Sequence, residues 1–267
     1  MDRPLHTFAI CAYGESPYLE QCIRSLRGQT VKTDIICCTA TPGTRLKELC
    51  EAYDIPLHVR DGEPGIREDW LYAYKTAKGR FVTIAHQDDI YRKNYVEELI
   101  RAWDRWPDMT VFASDYLTIR MRGGKAEDDF GNLPWLVKKV LRLPLRIKSL
   151  ADRTWIRKSA VLFGNSICCP TCTYHKEIIG EDMFDSGYCF VLDWDNLYEL
   201  AGRKGRFIVS EKPLLAYRVH DQSATKALIL NKERFREEES MFRKMLPGRM
   251  ADFLLRFYGY ASREYDV

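Results

Sequence analysis

An α/β fold with a mostly parallel sheet flanked by helices is predicted by three features of the 267-residue chain. Short apolar runs alternate with amphipathic stretches through roughly the first half of the chain. Glycine, proline and small polar residues punctuate each junction. The polar sequences richest in possible ligands sit where apolar runs end, and in such sheets ligands bind beyond the carboxyl ends of the strands.

Thr7-Phe8-Ala9-Ile10-Cys11-Ala12 is apolar and ends at Tyr13-Gly14-Glu15-Ser16-Pro17, the punctuation of a strand entering a loop. Leu19, Cys22, Ile23 and Leu26 then share one helical face, which predicts a helix over 17–27 with Ser16 as N-cap and Pro17 in the first turn. The alternation continues with a strand over 34–39, a helix over 44–53, a strand over 57–59, a helix over 66–77 and a strand over 80–85. A helix over 95–105 and a strand over 110–118 complete it. Beyond residue 120 the pattern changes: 123–129 reads as a polar loop, and 133–147 is apolar and basic without an acid, with Pro134 and Pro144 bounding any helix. A helix from about Trp155, an apolar stretch over 165–174, a helix over 193–201, a strand over 207–210 and a charged helix from about Ile229 follow.

Composition excludes several classes. With 46% apolar and 30% charged residues the chain is neither disordered nor fibrous. A net charge of +3 gives no basis for nucleic-acid binding, so no nucleic-acid partner is expected. Apolar runs fall short of the roughly 18 residues that span a bilayer, and Met1-Asp2-Arg3-Pro4 does not open a signal peptide, so a cytoplasmic protein is expected. The nine cysteines fit a reducing compartment, since several sit in strand-like runs such as Ile35-Ile36-Cys37-Cys38. Cys168-Cys169-Pro170-Thr171-Cys172 holds one CxxC without the second pair that structural zinc requires.

Thr83-Ile84-Ala85-His86-Gln87-Asp88-Asp89 gathers oxygen and nitrogen ligands at the exit of a buried strand. Two adjacent carboxylates repel unless positive charge lies near, and a divalent cation bridging to phosphate oxygens would supply it. The plainer alternative makes Asp89 the cap of the helix after Lys93.

The opening, residues 8–14 followed by Tyr18-Leu19-Glu20-Gln21-Cys22-Ile23-Arg24-Ser25-Leu26-Arg27-Gly28-Gln29-Thr30, resembles glycosyltransferase family 2. Ala77-Lys78-Gly79-Arg80-Phe81-Val82 leading to the QDD is similar to that family's approach to its DxD motif. Leu192-Asp193-Trp194-Asp195 resembles its acidic base motif, and Tyr217-Arg218-Val219-His220-Asp221-Gln222-Ser223 its late HxxS element. The resemblance implies a GT-A fold with a donor half over 1–120, an acceptor-side and base-bearing half over 121–228, and a helical extension over 229–267. It implies Mn2+ or Mg2+ at Asp88, Asp89 and His220, and a general base at Asp193, with Asp195 second. It implies a nucleotide-diphosphate sugar contacted by Ala12, Tyr13, Glu15, Thr39, Thr41, Arg67, Asp69, His86, Gln87, Asp88 and Arg218.

Two positions depart from the family pattern. Cys37-Cys38-Thr39-Ala40-Thr41 stands where the family has a base-contacting aspartate, leaving only hydroxyls for that contact. His86 stands in the first DxD position, where it can bind manganese but adds no negative charge.

The expected activity is inverting, metal-dependent sugar transfer to a saccharide or lipid-linked acceptor in surface polysaccharide synthesis. The alternative is a nucleotide-sugar-binding protein without transferase activity. The segment over 134–148 interleaves leucine and valine with five basic residues, which suits an acceptor lid or peripheral attachment to an anionic inner membrane face. For its contacts the ordinary arrangement is expected, an apolar face on the core and lysines in solvent.

Overall fold

The structure is a computed structural model that describes residues 3–122, 125–128, 133–220 and 233–263. Strands β1 (His6–Cys11), β2 (Asp34–Thr39), β3 (Leu57–Val59) and β4 (Phe81–His86) form a parallel half linked by α1 (Leu19–Arg27), α2 (Thr44–Ala52) and α3 (Ile66–Thr76). The other half contains β5 (Ile90–Tyr91), β6 (Met109–Arg122), β7 (Lys125–Asp128), β8 (Thr173–His175) and β9 (Arg206–Val219). β8 is wedged antiparallel between β4 and β6, β9 runs parallel to β6, and β5 pairs antiparallel with β9. The sheet order is β3-β2-β1-β4-β8-β6-β9-β5, with β7 on β6. The remaining helices are α4 (Tyr95–Arg105), α5 (Leu133–Leu141), α6 (Thr154–Val161), α7 (Lys176–Ile179), α8 (Leu192–Gly202), α9 (Glu233–Met245) and α10 (Gly248–Arg263).

Alternate residues of each central strand feed opposite cores, the expected consequence of a sheet covered on both faces. Phe8, Ile10, Phe81 and Ala85 pack with Leu19, Ile23 and Leu26 of α1 and Tyr95 and Leu99 of α4. Ala9, Val82 and Ile84 pack on the other side with Ala73 and Tyr74 of α3 and Trp194 and Leu197 of α8. Each large apolar side chain so buried contributes roughly 1.5–3 kcal/mol.

The structure departs from the sequence reading in identifiable ways. Ser16 does not cap a helix beginning at Pro17: α1 begins at Leu19, and the Ser16 hydroxyl accepts the Tyr18 N–H at 3.2 Å. The strand expected over 207–210 runs on to Val219, because irregular pairing between β6 and β9 around Asp115 accommodates Pro213, which has no N–H to give a ladder. The polar loop over 123–129 contains β7, and the apolar stretch over 165–174 supplies the short strand β8. The charged helix is described from Glu233, and its expected start at Ile229 lies outside the described residues.

The expected packing of the segment over 134–148 is also overturned. Trp135, Lys138, Lys139 and Arg142 turn toward the protein, where buried Asp115 accepts from Trp135 Nε1 at 3.1 Å and Arg142 Nη2 at 2.9 Å. Lys139 Nζ lies 3.9 Å from the other Asp115 oxygen, and Lys138 sits over the Tyr116 ring. A buried carboxylate needs charged partners, and it draws the basic face of α5 inward.

One buried cation holds the α6–α8–β9 junction. Arg157 is only 1% exposed, and its guanidinium donates to the carbonyls of Ala201, Asp152, Arg203 and Gly205 around the C-terminal end of α8. Arg157→Met should strip donors from these acceptors and lower unfolding free energy by about 3 kcal/mol or more in a urea titration. A loss below about 1 kcal/mol would contradict this account.

Candidate active site

The loops after β1, β2 and β4 leave the sheet at one edge because Cys11 pairs with both Cys38 and His86. Gln87 binds the Tyr13 backbone at two points: its Oε1 accepts the N–H at 3.1 Å and its Nε2 donates to the carbonyl at 2.9 Å. Gly14, at φ +56° where a Cβ brings strain, donates its N–H to Thr41 Oγ1 at 2.8 Å. Buried Thr39 accepts the Thr41 N–H at 2.9 Å. Thr39, Thr41 and Gln87 therefore shape a rigid cradle, along which Tyr13 and Glu15 are exposed while Ala12 is buried.

Asp69 pairs with Arg60 at 2.8 Å and accepts the Gly65 N–H at 3.3 Å, fixing the start of α3. Arg67 reaches the other way, donating to the Phe184 carbonyl at 3.2 Å and lying 3.6 Å from Asp185.

Asp88 and Asp89 diverge. Asp89 is 1% exposed; its Oδ1 accepts the Arg218 backbone N–H at 2.9 Å, while Oδ2 is buried without a hydrogen-bond partner. Burial pushes this carboxyl up to about 8, against the opposing pull of Arg218. Asp88 faces outward, 21% exposed, with Oδ1 accepting from the Ser16 hydroxyl at 2.5 Å and Oδ2 lying 3.2 Å from His220 Nε2. The Arg218 guanidinium is spent beneath the turn. It donates to the Asp88 carbonyl at 2.8 Å and to Gln21 Oε1 at 2.7 Å, and it stacks 4.2 Å over the Tyr18 ring, which also meets His220 at 5.0 Å.

His86 lies against Trp70 at 5.2 Å, and Trp70 against Phe184 at 5.5 Å. Burial lowers its imidazole to about 4, partly countered by Asp88, so it is neutral at physiological pH; its Nε2 is buried without a hydrogen-bond partner.

Asp193 and Asp195 leave α8 in different directions. Asp193 Oδ2 accepts from Asn165 Nδ2 at 2.7 Å and Oδ1 from the Trp194 N–H at 2.8 Å. Desolvation raises its carboxyl to about 6, with Lys138 the leading opposing charge. Asp195 is buried and takes Lys244 Nζ of α9 at 2.6 Å. The buried thiol of Cys168 is raised to about 12 chiefly by burial.

Among the described residues, no three His, Cys, Asp or Glu side chains converge as a metal cage. Asp88 and His220 nevertheless offer an oxygen and a nitrogen side by side, and buried His220 Nε2 has no aligned hydrogen bond. Such a two-donor set fits a magnesium or manganese ion that completes its shell with phosphate oxygens and water. Asp221, Gln222 and Ser223 of the late motif lie outside the described residues.

Ser16, Gln21 and Asn165 are the site residues that sequence reasoning missed. Ser16 carried a signal, a hydroxyl in a strand-end loop, but that signal also fits a helix cap. Asn165 carried none, since its role depends on the approach of α8.

No curated protein is similar enough to the chain to count as a match. Solved structures are similar in fold. S. aureus TarS residues 1–349 in complex with UDP-GlcNAc is 14% identical, with a TM-score of 0.59 over 94% of this chain and 70% of that one. The mannosyltransferase PcManGT from Pyrobaculum calidifontis, in complex with GDP-Man and Mn2+, is 14% identical, with a TM-score of 0.60 over 91% of this chain and 64% of that one. The fold is the GT-A fold of these glycosyltransferases. The model of the family described as glycosyl transferase family 2 matches residues 7–156, more than half of the sequence, and the chain belongs to that family.

Proposed function

We propose that this glycosyltransferase moves a sugar from a nucleotide-diphosphate donor to a hydroxyl of a saccharide or lipid-linked acceptor, by a single inverting displacement assisted by a divalent metal. The observation that carries this reading is the division of labour among the acids: Asp88 paired with His220 at the sheet edge, and Asp193 held separately at α8 by Asn165. The donor class is drawn from the S. aureus and P. calidifontis structures, which hold UDP-GlcNAc and GDP-Man.

In this mechanism Asp193 takes the proton of the acceptor hydroxyl. The acceptor oxygen bonds to the anomeric carbon as the bond from that carbon to the diphosphate breaks, and the electron pair leaves with the diphosphate. Asn165 and the Trp194 N–H orient the Asp193 carboxylate, and its raised affinity for a proton suits a base that is ionised at neutral pH. Asp88 and His220 would hold the metal, which when bound offsets diphosphate charge. Asp89 and Arg218 brace the turn that presents Asp88. The cradle of Gln87, Tyr13, Gly14 and Thr41 faces the nucleotide, with hydroxyls in place of an acid for the base.

Thermal-shift measurements with UDP- and GDP-sugars test this reading. A donor at 100 times its Kd should stabilise the chain by about 2.7 kcal/mol with Mn2+ present, and EDTA should remove most of that gain. Stabilisation accompanied by neither donor hydrolysis nor transfer would favour a nucleotide-sugar-binding protein. No stabilisation by any nucleotide sugar would overturn both.

A further inference from the structure

The outward face of α5 is unusual. Leu133, Leu136, Val137 and Val140 recur at the i, i+3, i+4, i+7 spacing that normally marks a core-facing stripe, yet Leu136 is 50% and Val140 54% exposed. The exposed stripe continues through Leu143 and Ile147 in the turns that follow the helix. Trp155, 66% exposed, opens α6, which packs on both α5 and those turns. Asp115 fixes the inversion by engaging the polar face of α5, so the apolar stripe is held outward rather than exposed by chance.

We infer that this face is a monotopic docking surface for an anionic lipid bilayer. Lys138, Lys139 and Arg142 of this segment are turned inward and Arg146 pairs with Glu211, but Lys148 is exposed and residues 133–150 contain no acid, so the charge this segment itself turns outward is positive and favours a negatively charged partner. Lys148 is exposed at the end of the stripe and Arg153 beside Trp155, so cationic and interfacial aromatic side chains flank the apolar strip. That is the arrangement of a helix lying in the headgroup plane. Among the described residues no helix is long and apolar enough to cross a membrane, so attachment here is by lying on the surface. The docking does not rest on the transferase reading.

Flotation of the full chain with lipid vesicles tests the proposal without donor or acceptor, so loss of transferase activity cannot mimic its failure. At low salt, binding should be at least about tenfold tighter to phosphatidylcholine vesicles containing about a third phosphatidylglycerol than to phosphatidylcholine alone. Leu136→Ser with Val140→Ser should weaken binding by at least about tenfold with only a small change in Tm, because both side chains are already half in solvent. Lys148→Glu with Arg153→Glu, a second variant independent of the helix, should abolish the preference for anionic vesicles. Absence of binding to anionic vesicles, or binding indifferent to both double variants, overturns the inference. So does a dimer in sedimentation equilibrium that the serine variant dissociates, since a second copy would then cover the face.

Discussion

Asp193→Asn protein should bind nucleotide sugar as the wild type does while transferring it roughly 10²–10⁴-fold more slowly, the range expected when a general base is removed. The isosteric amide keeps an oxygen for the Trp194 N–H, so the start of α8 is preserved while the proton acceptor is lost. A pH profile adds an independent reading. Asp193 must be ionised to act, and desolvation raises its carboxyl to about 6, so wild-type kcat/KM should climb as pH rises through about 6 and then level off. The residual activity of Asp193→Asn should lack that limb. Equal transfer rates for the two proteins would remove Asp193 from the mechanism, whatever the donor affinity.

Asp88→Ala and Asp89→Ala should fail in opposite ways although the residues are neighbours. Asp88 is the solvent-facing member beside His220, so its loss should abolish the Mn2+-dependent part of donor stabilisation and lower kcat/KM by about 100-fold or more, with little change in the Tm of the ligand-free protein. His220→Ala should follow Asp88→Ala. Asp89 carries the Arg218 N–H in a buried site, and its removal leaves that donor unpaired at a cost of about 1–3 kcal/mol, read as a lowered Tm without any ligand. If Asp89→Ala kept wild-type Tm and lost only metal-dependent binding, the assignment of the two acids would be reversed.

The parallel half was legible because each of its strands is a buried apolar run bounded by turn residues, and each helix carries its stripe on one face. The position of the QDD at the end of β4 followed from that alone. Which acid of the pair faces solvent was not legible, because it depends on β9 arriving from far along the chain to offer the Arg218 N–H to Asp89. The orientation of α5 was hidden for a similar reason: its apolar stripe reads as a core face, and the buried Asp115 that reverses it lies on another element. His86 remains the departure with a visible structural setting, a neutral ring against Trp70 where the family carries a carboxylate.

Arg218 joins parts of the chain that are made at very different times. Its contact with Gln21 spans 197 positions and its contact with the Asp88 carbonyl spans 130. During synthesis from the N-terminus, β1 to β4 can pair through contacts between neighbouring units long before β9 leaves the ribosome. The turn carrying Asp88 has neither its brace nor its histidine until then. A partly made chain can therefore hold the parallel sheet without the braced Asp88 turn, and the proposed donor site is completed late and all at once, when β9 is laid along β6.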